Sequence, residues 1–213
     1  MLAIGRKYRS RLEEGLKRHT REDIFWLPDN PAVDERLAGH ADLNVFSGNG
    51  AIVVAKGLYS YIVKELTNIG VPVLPSGEQN SVYPKDAGLC VCRTGRYTIY
   101  NPKTSDPVLE PYLDSDRIFV NQGYTRCSVC VVSDEGIITA DQAIASRASE
   151  SGLDVLKITP GHIFLEGYDY GFIGGASFIL SEDTIAFTGV LDKHPDKDRI
   201  FYKNITELLE LQF

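Results

Sequence analysis

Four stretches of the chain run through the same order of apolar and polar positions. They are HADLNVFSGNGAIVVA from His40, DAGLCVCRTGRYTIYN from Asp86, RCSVCVVSDEGIITAD from Arg126 and GGASFILSEDTIAFTG from Gly174. Each opens on small residues, continues as an alternating apolar segment, turns through a short polar run (SGNG, RTGR, SDEG, SED) and ends in a second apolar segment. That pattern predicts four β-hairpins. Helical periodicity follows the first in GLYSYIVKELTNIG and the third in DQAIASRASESG, where Asp141 suits an N-cap and Gly152 a C-terminal stop. Short strands are then expected at 71–75, 117–121 and 154–158. The repeating unit reads strand, strand, helix, strand.

The hairpin starts lie 46, 40 and 48 residues apart, too far for a meander and right for a repeated ββαβ unit. A basic amphipathic helix followed by DIFWLP at 23–28 fits as a displaced piece of that unit, and the C-terminal DRIFYKNITELLELQF as the helix after the fourth hairpin. Units of this size cannot bury their faces singly and must pack on one another. The expected fold is therefore α/β, a propeller-like ring of ββαβ units about a pseudo-symmetry axis, spanning 1–213 as one domain. The proline-bearing stretches PDNPAVDE and YPKD are only loop-sized.

Aligning the hairpins on Val45-Phe46, Val91-Cys92, Val131-Val132 and Ile179-Leu180 and treating every first segment as a strand gives three columns on one face. The first holds His40, Asp86, Arg126 and Gly174; the second Asp42, Gly88, Ser128 and Ala176; the third Asn44, Cys90, Cys130 and Phe178. The intervening positions, Cys127 among them, form an apolar face. Lys and Glu, the usual filler of a wet sheet face, are missing from the polar columns, whereas groups that titrate, attack or hydrogen-bond in fixed geometry are present. If the units surround an axis, these groups meet there.

Composition narrows the classes further. With 43% apolar and 24% charged residues, the chain has a globular balance, and no apolar run reaches the length of a membrane span. A cytoplasmic location is expected, since charges stand where a secretion signal would carry its apolar core. Residues 1–21 carry seven Lys/Arg against two Glu, so a net charge of −7 leaves the remainder at −12. One basic helix docked on an acidic body is not a nucleic-acid footprint, and neither nucleic acid nor membrane is expected as a partner. Four cysteines are too few for a disulfide scaffold. Cys90-x-Cys92 and Cys127-x-x-Cys130 superficially suggest a zinc site, but C-x-C is not the usual half, and alternation sends Cys127 and Cys130 to opposite faces of a strand. No metal or cofactor is expected. His194, in DKHPDKD, reads as part of a charged turn.

The run His40-Ala-Asp42-Leu-Asn-Val-Phe46 resembles the H-x-D-x-x-F motif of arginine deiminases with one residue more before the phenylalanine, and the ββαβ repeat resembles their pentein fold, that of the guanidino-group-modifying enzymes. Gly174-Gly175-Ala176-Ser177-Phe178 is similar to their G-G-x-x-Cys segment and Tyr124-Thr125-Arg126 to their F-T-R run. Pro28-Asp-Asn-Pro31 leading into Gly39-His40-Ala41-Asp42 resembles a bacterial family of that fold. The resemblance implies a thiolate that attacks a guanidinium carbon, a histidine that carries protons and acidic residues that grip the nitrogens. His40 and Asp42 match; Phe178 stands where the cysteine is expected. Cys90 and Cys130 share its column and become the candidate nucleophiles, with His40 as proton carrier and Asp42, Asn44, Asp86, Arg126 and Ser128 as substrate-binding groups. Two readings stay open. One is a hydrolase or transferase acting on a guanidine or amidine, with Arg126 suited to the carboxylate of an amino acid. The other is a pentein with a degenerate site that binds a small molecule or macromolecule without turnover.

Overall fold

A computed structural model describes residues 1–213 except 67, 182–183, 202–206 and 211–213, with the side chains of 207–210 also outside the description. Five small sheets follow one another along the chain. The first pairs β1 (Leu2–Gly5) with β2 (Ile24–Leu27) in parallel, joined through helix α1 (Arg9–His19). The second contains β3 (Val45–Gly48), β4 (Ala51–Val54) and β5 (Val73–Pro75), with α2 (Ala41–Asn44) before it and α3 (Tyr59–Glu65) within it. The third contains β6 (Cys92–Thr94), β7 (Tyr97–Tyr100) and β8 (Asp116–Phe119), its helical connection being the 3-10 turn Pro107–Tyr112. The fourth contains β9 (Val129–Ser133), β10 (Gly136–Thr139) and β11 (Asp154–Lys157), with α4 (Thr125–Ser128) before it and α5 (Gln142–Glu150) within it. The fifth contains β12 (Ser177–Ser181), β13 (Thr184–Phe187) and β14 (Glu207–Glu210), with α6 (Lys197–Phe201) between its last two strands.

In each three-stranded sheet the hairpin is antiparallel and the third strand is parallel to the middle one, the geometry a helical crossover demands. The middle strands β4, β7, β10 and β13 are buried along their whole length. Glycine is required in two of the hairpin turns, where Gly50 and Gly95 adopt φ of +77° and +51°. The Asp141 carboxylate caps α5 by accepting from the Ile144 N–H at 2.9 Å, and Gly152, at φ +95°, follows the helix end.

Apolar cores join each sheet to the next. Leu27 packs with Ile52 and Val54, Phe46 and Val53 with Val91 and Tyr100, and Cys92 and Ile99 with Val129 and Ile137. Cys130 and Ile138 then pack with Ile185 and Phe187, and Leu180 and Ala186 return to Leu12 and Leu16 of α1. The order of cores thus comes back to its start, the N-terminal two-stranded sheet being the first of the five units. Leu12 and Leu16, one turn apart on α1, make that closing contact.

Two expectations need correction. Residues 40–44 and 125–128 are not strand starts but helical turns, and 86–91 and 174–176, expected to open the second and fourth hairpins as strands, are turns and irregular backbone ahead of β6 and β12; polar side chains in the helical turns bond nearby carbonyls. Asn44 Nδ2 donates to the Ala38 and His40 carbonyls at 3.0 and 2.8 Å, and Thr125 Oγ1 donates to the Cys90 carbonyl at 2.7 Å. Among the described residues the C-terminal helix spans Lys197–Phe201, and residues 207–210 form not helix but β14, whose parallel ladder to β13 completes the fifth sheet as β5, β8 and β11 complete theirs.

Sheets two and three are also pinned by an ion pair. The Arg93 guanidinium grips Asp114 with bonds of 2.6 and 2.7 Å while donating to the Ser47 carbonyl and the Asn49 side chain at 2.9 and 2.8 Å. Burial raises the Asp114 pKa, but the bonds and charge of Arg93 outweigh it and the net shift is downward. A depressed folded pKa means stability that is present above the unfolded value of about 3.9 and lost as pH falls through the folded one. The urea midpoint is therefore expected to drop in that acid window, and Asp114→Asn should flatten the drop; an unchanged acid slope in the variant would remove Asp114 from the account.

Candidate active site

The turns that precede the hairpins carry the polar centre. Since strands β3 and β9 start at Val45 and Val129, the turns superpose Asp42 on Arg126, Leu43 on Cys127 and Asn44 on Ser128, two residues out of step with the all-strand alignment. That shift decides which thiols meet. Cys127 lies against Cys90 with Sγ atoms 3.4 Å apart, and both are buried. Asp42 joins them: its carboxylate and the two sulfurs lie within 4.8 Å of one another. The Asp42 Oδ2 is buried and has no hydrogen-bond partner.

His40 caps α2 and reaches the same carboxylate from its other side, with Nδ1 3.9 Å from Asp42 Oδ1. Burial lowers the His40 pKa, Asp42 opposes that and Lys7 adds to it, so the ring is neutral at neutral pH and able to accept a proton. An NMR titration of the His40 ring is expected to give a value below the ordinary one of about 6.5, and a lower one still in Asp42→Asn. A value at or above 6.5 would show that burial does not control this ring.

Asp86 is linked to this cluster through Tyr124. Its Oδ2 accepts from the Tyr124 hydroxyl at 2.6 Å, and its buried Oδ1 has no partner. Burial and the Asp86 carboxylate raise the Tyr124 pKa, which keeps that hydroxyl protonated as a donor. Tyr124 belongs to an aromatic row: Tyr83 lies 5.5 Å from it and Phe172 6.4 Å, with Tyr170 6.2 Å beyond Phe172, ring centre to ring centre. Tyr83 and Tyr170 are exposed, so the row leads from solvent to the cluster that holds Cys90 and Cys127. Aromatic faces beside carboxylates suit an organic cation.

The fifth sheet contributes backbone. Gly174 is buried under the fourth unit's turn, where its carbonyl accepts from Arg126 Nη1 at 3.2 Å, and the Gly175 N–H donates to the Cys127 carbonyl at 2.9 Å. Gly175 is exposed beside Asp42: a methyl on it would stand 3.6 Å from Asp42 Oδ2. The half-buried Arg126 guanidinium makes bonds to the Val129 and Gly174 carbonyls. Burial opposes its charge, and the surrounding thiols together with Asp42 outweigh burial and raise its pKa.

His40, Asp42, Cys90 and Arg126 are thus gathered at the centre, with Asp86 on its aromatic flank. Asn44 is a clamp, fully buried and bonded to Asn30 and two carbonyls. Ser128 faces away and lines a separate cavity of about 160 Å³ with Asp141 and His194. His194 is itself buried rather than part of an exposed charged turn, its Nδ1 accepting from the Asp196 N–H at 3.1 Å. Cys130 points from β9 into the apolar core with Ile138 and Ile185, and burial pushes its thiol up to about 11. Phe178 packs with Leu180 and the α1 leucines. Cys127, which the all-strand reading put on the apolar face, is the thiol it missed. The sequence signal was local: the hydroxyls of Thr125 and Ser128 offer the backbone hydrogen bonds that compete with a strand ladder.

Cys127 is not poised as a thiolate in the free protein. The bond with Cys90, burial and the Asp42 charge together raise the Cys127 pKa well above that of an ordinary thiol.

Comparisons with known proteins fit this architecture. The sequence model of a family of unknown function (DUF6873) matches residues 3–210. None of the curated proteins matches the chain by sequence. Among solved structures, an amidinotransferase of Microseira wollei from the saxitoxin biosynthetic pathway superposes with a TM-score of 0.60 at 11% identity, covering 97% of this chain and 75% of that one. DDAH from Pseudomonas aeruginosa, complexed with citrulline, gives 0.58 at 12% identity over 96% and 82% of the two chains. The agmatine deiminase of C. jejuni gives 0.52 at 8% identity over 99% and 75%. All have the pentein fold, and so has this chain. At such identities the likeness is one of fold.

Proposed function

The chain belongs to the family of unknown function (DUF6873), and from its pentein fold and central cluster we propose that it takes a small guanidine or amidine at the ring centre and acts on it through Cys127. The observation that carries this reading is the pair of buried carboxylate oxygens without partners: Asp42 Oδ2, on the carboxylate beside the Cys90–Cys127 thiols, and Asp86 Oδ1, on the carboxylate that accepts from Tyr124 of the same cluster. A buried unpaired acceptor is costly unless a donor completes it, and a planar cation with several N–H groups supplies such donors.

The same charges define the chemistry. In the free protein the hydrogen bond with Cys90, burial and the Asp42 field hold Cys127 protonated. A bound cation offsets that field and lowers the thiol pKa, so activation is tied to occupancy. Neutral His40, whose Nδ1 lies 3.9 Å from Asp42 Oδ1, is the proposed acceptor of the proton. The thiolate then adds to the amidinium carbon, forming an S–C bond; the C–N bond breaks, and the departing amine leaves with the proton from His40. Water or a second amine resolves the S–C adduct, the first giving a hydrolase and the second a transferase. Arg126 is a candidate partner for a carboxylate on the ligand. Proposed assignments therefore are Cys127 as nucleophile with Cys90 beside it, His40 as proton carrier, and Asp42 and Asp86 as cation-binding groups. Cys130, in its apolar core, is left out.

Intact-mass and amine-release measurements on the reduced protein with a panel of guanidines and amidines test this. A saturable compound that leaves an adduct on Cys127, or releases amine, supports it. Saturable binding with neither adduct nor amine supports the second reading, a non-catalytic pentein, which the raised thiol favours. Absence of saturable binding across the panel overturns the guanidine reading and leaves the second reading with a ligand of another class or a macromolecular partner.

A further inference from the structure

The thiols that meet at the ring centre come from different units, 37 residues apart, a pairing no local cysteine spacing could announce. We infer that Cys90, Cys127 and Asp42 form a binding site for one thiophilic divalent cation of the zinc type. This goes beyond the guanidine reading and does not depend on it.

Geometry is the first support. Zinc holds thiolates at about 2.3 Å in tetrahedral array, which sets two coordinated sulfurs about 3.8 Å apart. The present separation of 3.4 Å needs to open by only a few tenths of an ångström. The third donor is in place, since one carboxylate oxygen lies within 4.8 Å of both sulfurs and the buried Oδ2 of Asp42 has no partner. Two sulfurs and one oxygen leave a fourth position for water, as in zinc sites that keep an open coordination position.

Charge is the second. Binding exchanges two thiol protons for the metal, so Zn²⁺ and two S–H groups give a zinc dithiolate and two H⁺. Two thiolates and a carboxylate carry three negative charges; the cation supplies two positive and Arg126, within electrostatic reach of Asp42 and Cys127, supplies the third. The buried centre is neutral before and after. Hard oxygen-seeking cations lack enough oxygens here, so the site selects for soft metals. Occupancy ties up both sulfurs and closes them to any electrophile, which makes the metal a candidate off-switch for the thiols.

The test is anaerobic titration of the full, reduced chain with cobalt(II), followed by zinc(II). Expected results are one equivalent bound, a thiolate-to-cobalt charge-transfer band in the near ultraviolet that zinc abolishes, and two protons released per metal. Cys90→Ser and Cys127→Ser should each lose the two-thiolate band, and Asp42→Asn should weaken binding, while Cys92→Ala keeps the band. In the unmodified chain, zinc should protect Cys90 and Cys127 together from alkylation, a readout that needs no variant to fold. Cobalt uptake without a thiolate band, or protection of neither cysteine at saturating zinc, overturns the site. Neither readout uses turnover, so failure here leaves the guanidine reading to its own test.

Discussion

Asp42→Asn is expected to weaken a guanidinium ligand by about a hundredfold or more. Removing one member of a buried, hydrogen-bonded charge pair costs about 2–5 kcal/mol, and about 2.7 kcal/mol is a hundredfold in affinity. The variant keeps the size of the side chain, so the α2 turn and its Asn44 clamp are retained. What changes is the acceptor at Oδ2, which has no partner of its own to lose. The same substitution removes the charge that helps hold Cys127 protonated, so alkylation of Cys127 by a neutral reagent should speed up even as ligand binding fails. Calorimetric titration paired with the alkylation rate separates this from general unfolding, which would expose Cys92 and Cys130 as well. Equal affinity in variant and parent would take Asp42 out of the site.

The two glycines of the fifth unit should behave in opposite ways. A Cβ on Gly174 would fall 2.3 Å from the Val129 carbonyl oxygen and 2.4 Å from that of Arg126, both backbone atoms that no rotamer change can move. Gly174→Ala is therefore expected to destabilise by about 3 kcal/mol or more, in the range that marks a backbone clash, and to push the fourth turn with Cys127 off the Gly175 N–H. On Gly175 the methyl meets Asp42 Oδ2 and the Phe172 carbonyl oxygen at 3.6 Å and Cys127 Cβ at 3.9 Å, all ordinary contacts. Gly175→Ala should fold with near-parental stability and impair ligand binding alone. Thermal unfolding of the two variants beside their ligand titrations checks both halves. A fully stable Gly174→Ala, or unimpaired binding in Gly175→Ala, would contradict the packing described.

The repeat was legible because hairpins with polar turns leave a strong period-two signal, and the third strands at 73–75, 116–119 and 154–157 followed from it. Residues 207–210 misled because ELLELQF has helical spacing, whereas the open edge of β13 takes a parallel strand there. Tertiary pairing overrides local propensity in such a segment. His40 and Asp42 were recognisable as a motif. The partner thiol was not, since reading 125–128 as strand put Cys127 and Cys130 on the wrong faces. A four-residue helical turn rotates side chains by about 100° per residue instead of 180°, so Cys127 turns to Cys90 while Cys130, one residue into β9, enters the core. Phe178 at the position of the expected cysteine is explained by the same closure: it packs against the α1 leucines that join the fifth unit to the first.

The account rests on Cys127 sitting in a cation-selecting site, and alkylation with matched reagents tests that most directly. A cationic haloacetamidine and a neutral haloacetamide are compared at equal pH, each cysteine being followed by mass spectrometry with and without the best-binding guanidine. The predicted result is preferential labelling of Cys127 by the cationic reagent, suppressed by the guanidine and abolished as a preference in Asp42→Asn, with Cys92 and Cys130 slow throughout because burial pushes their thiols up to about 12 and about 11. Equal rates for the two reagents at Cys127, or faster labelling of Cys130, would contradict it.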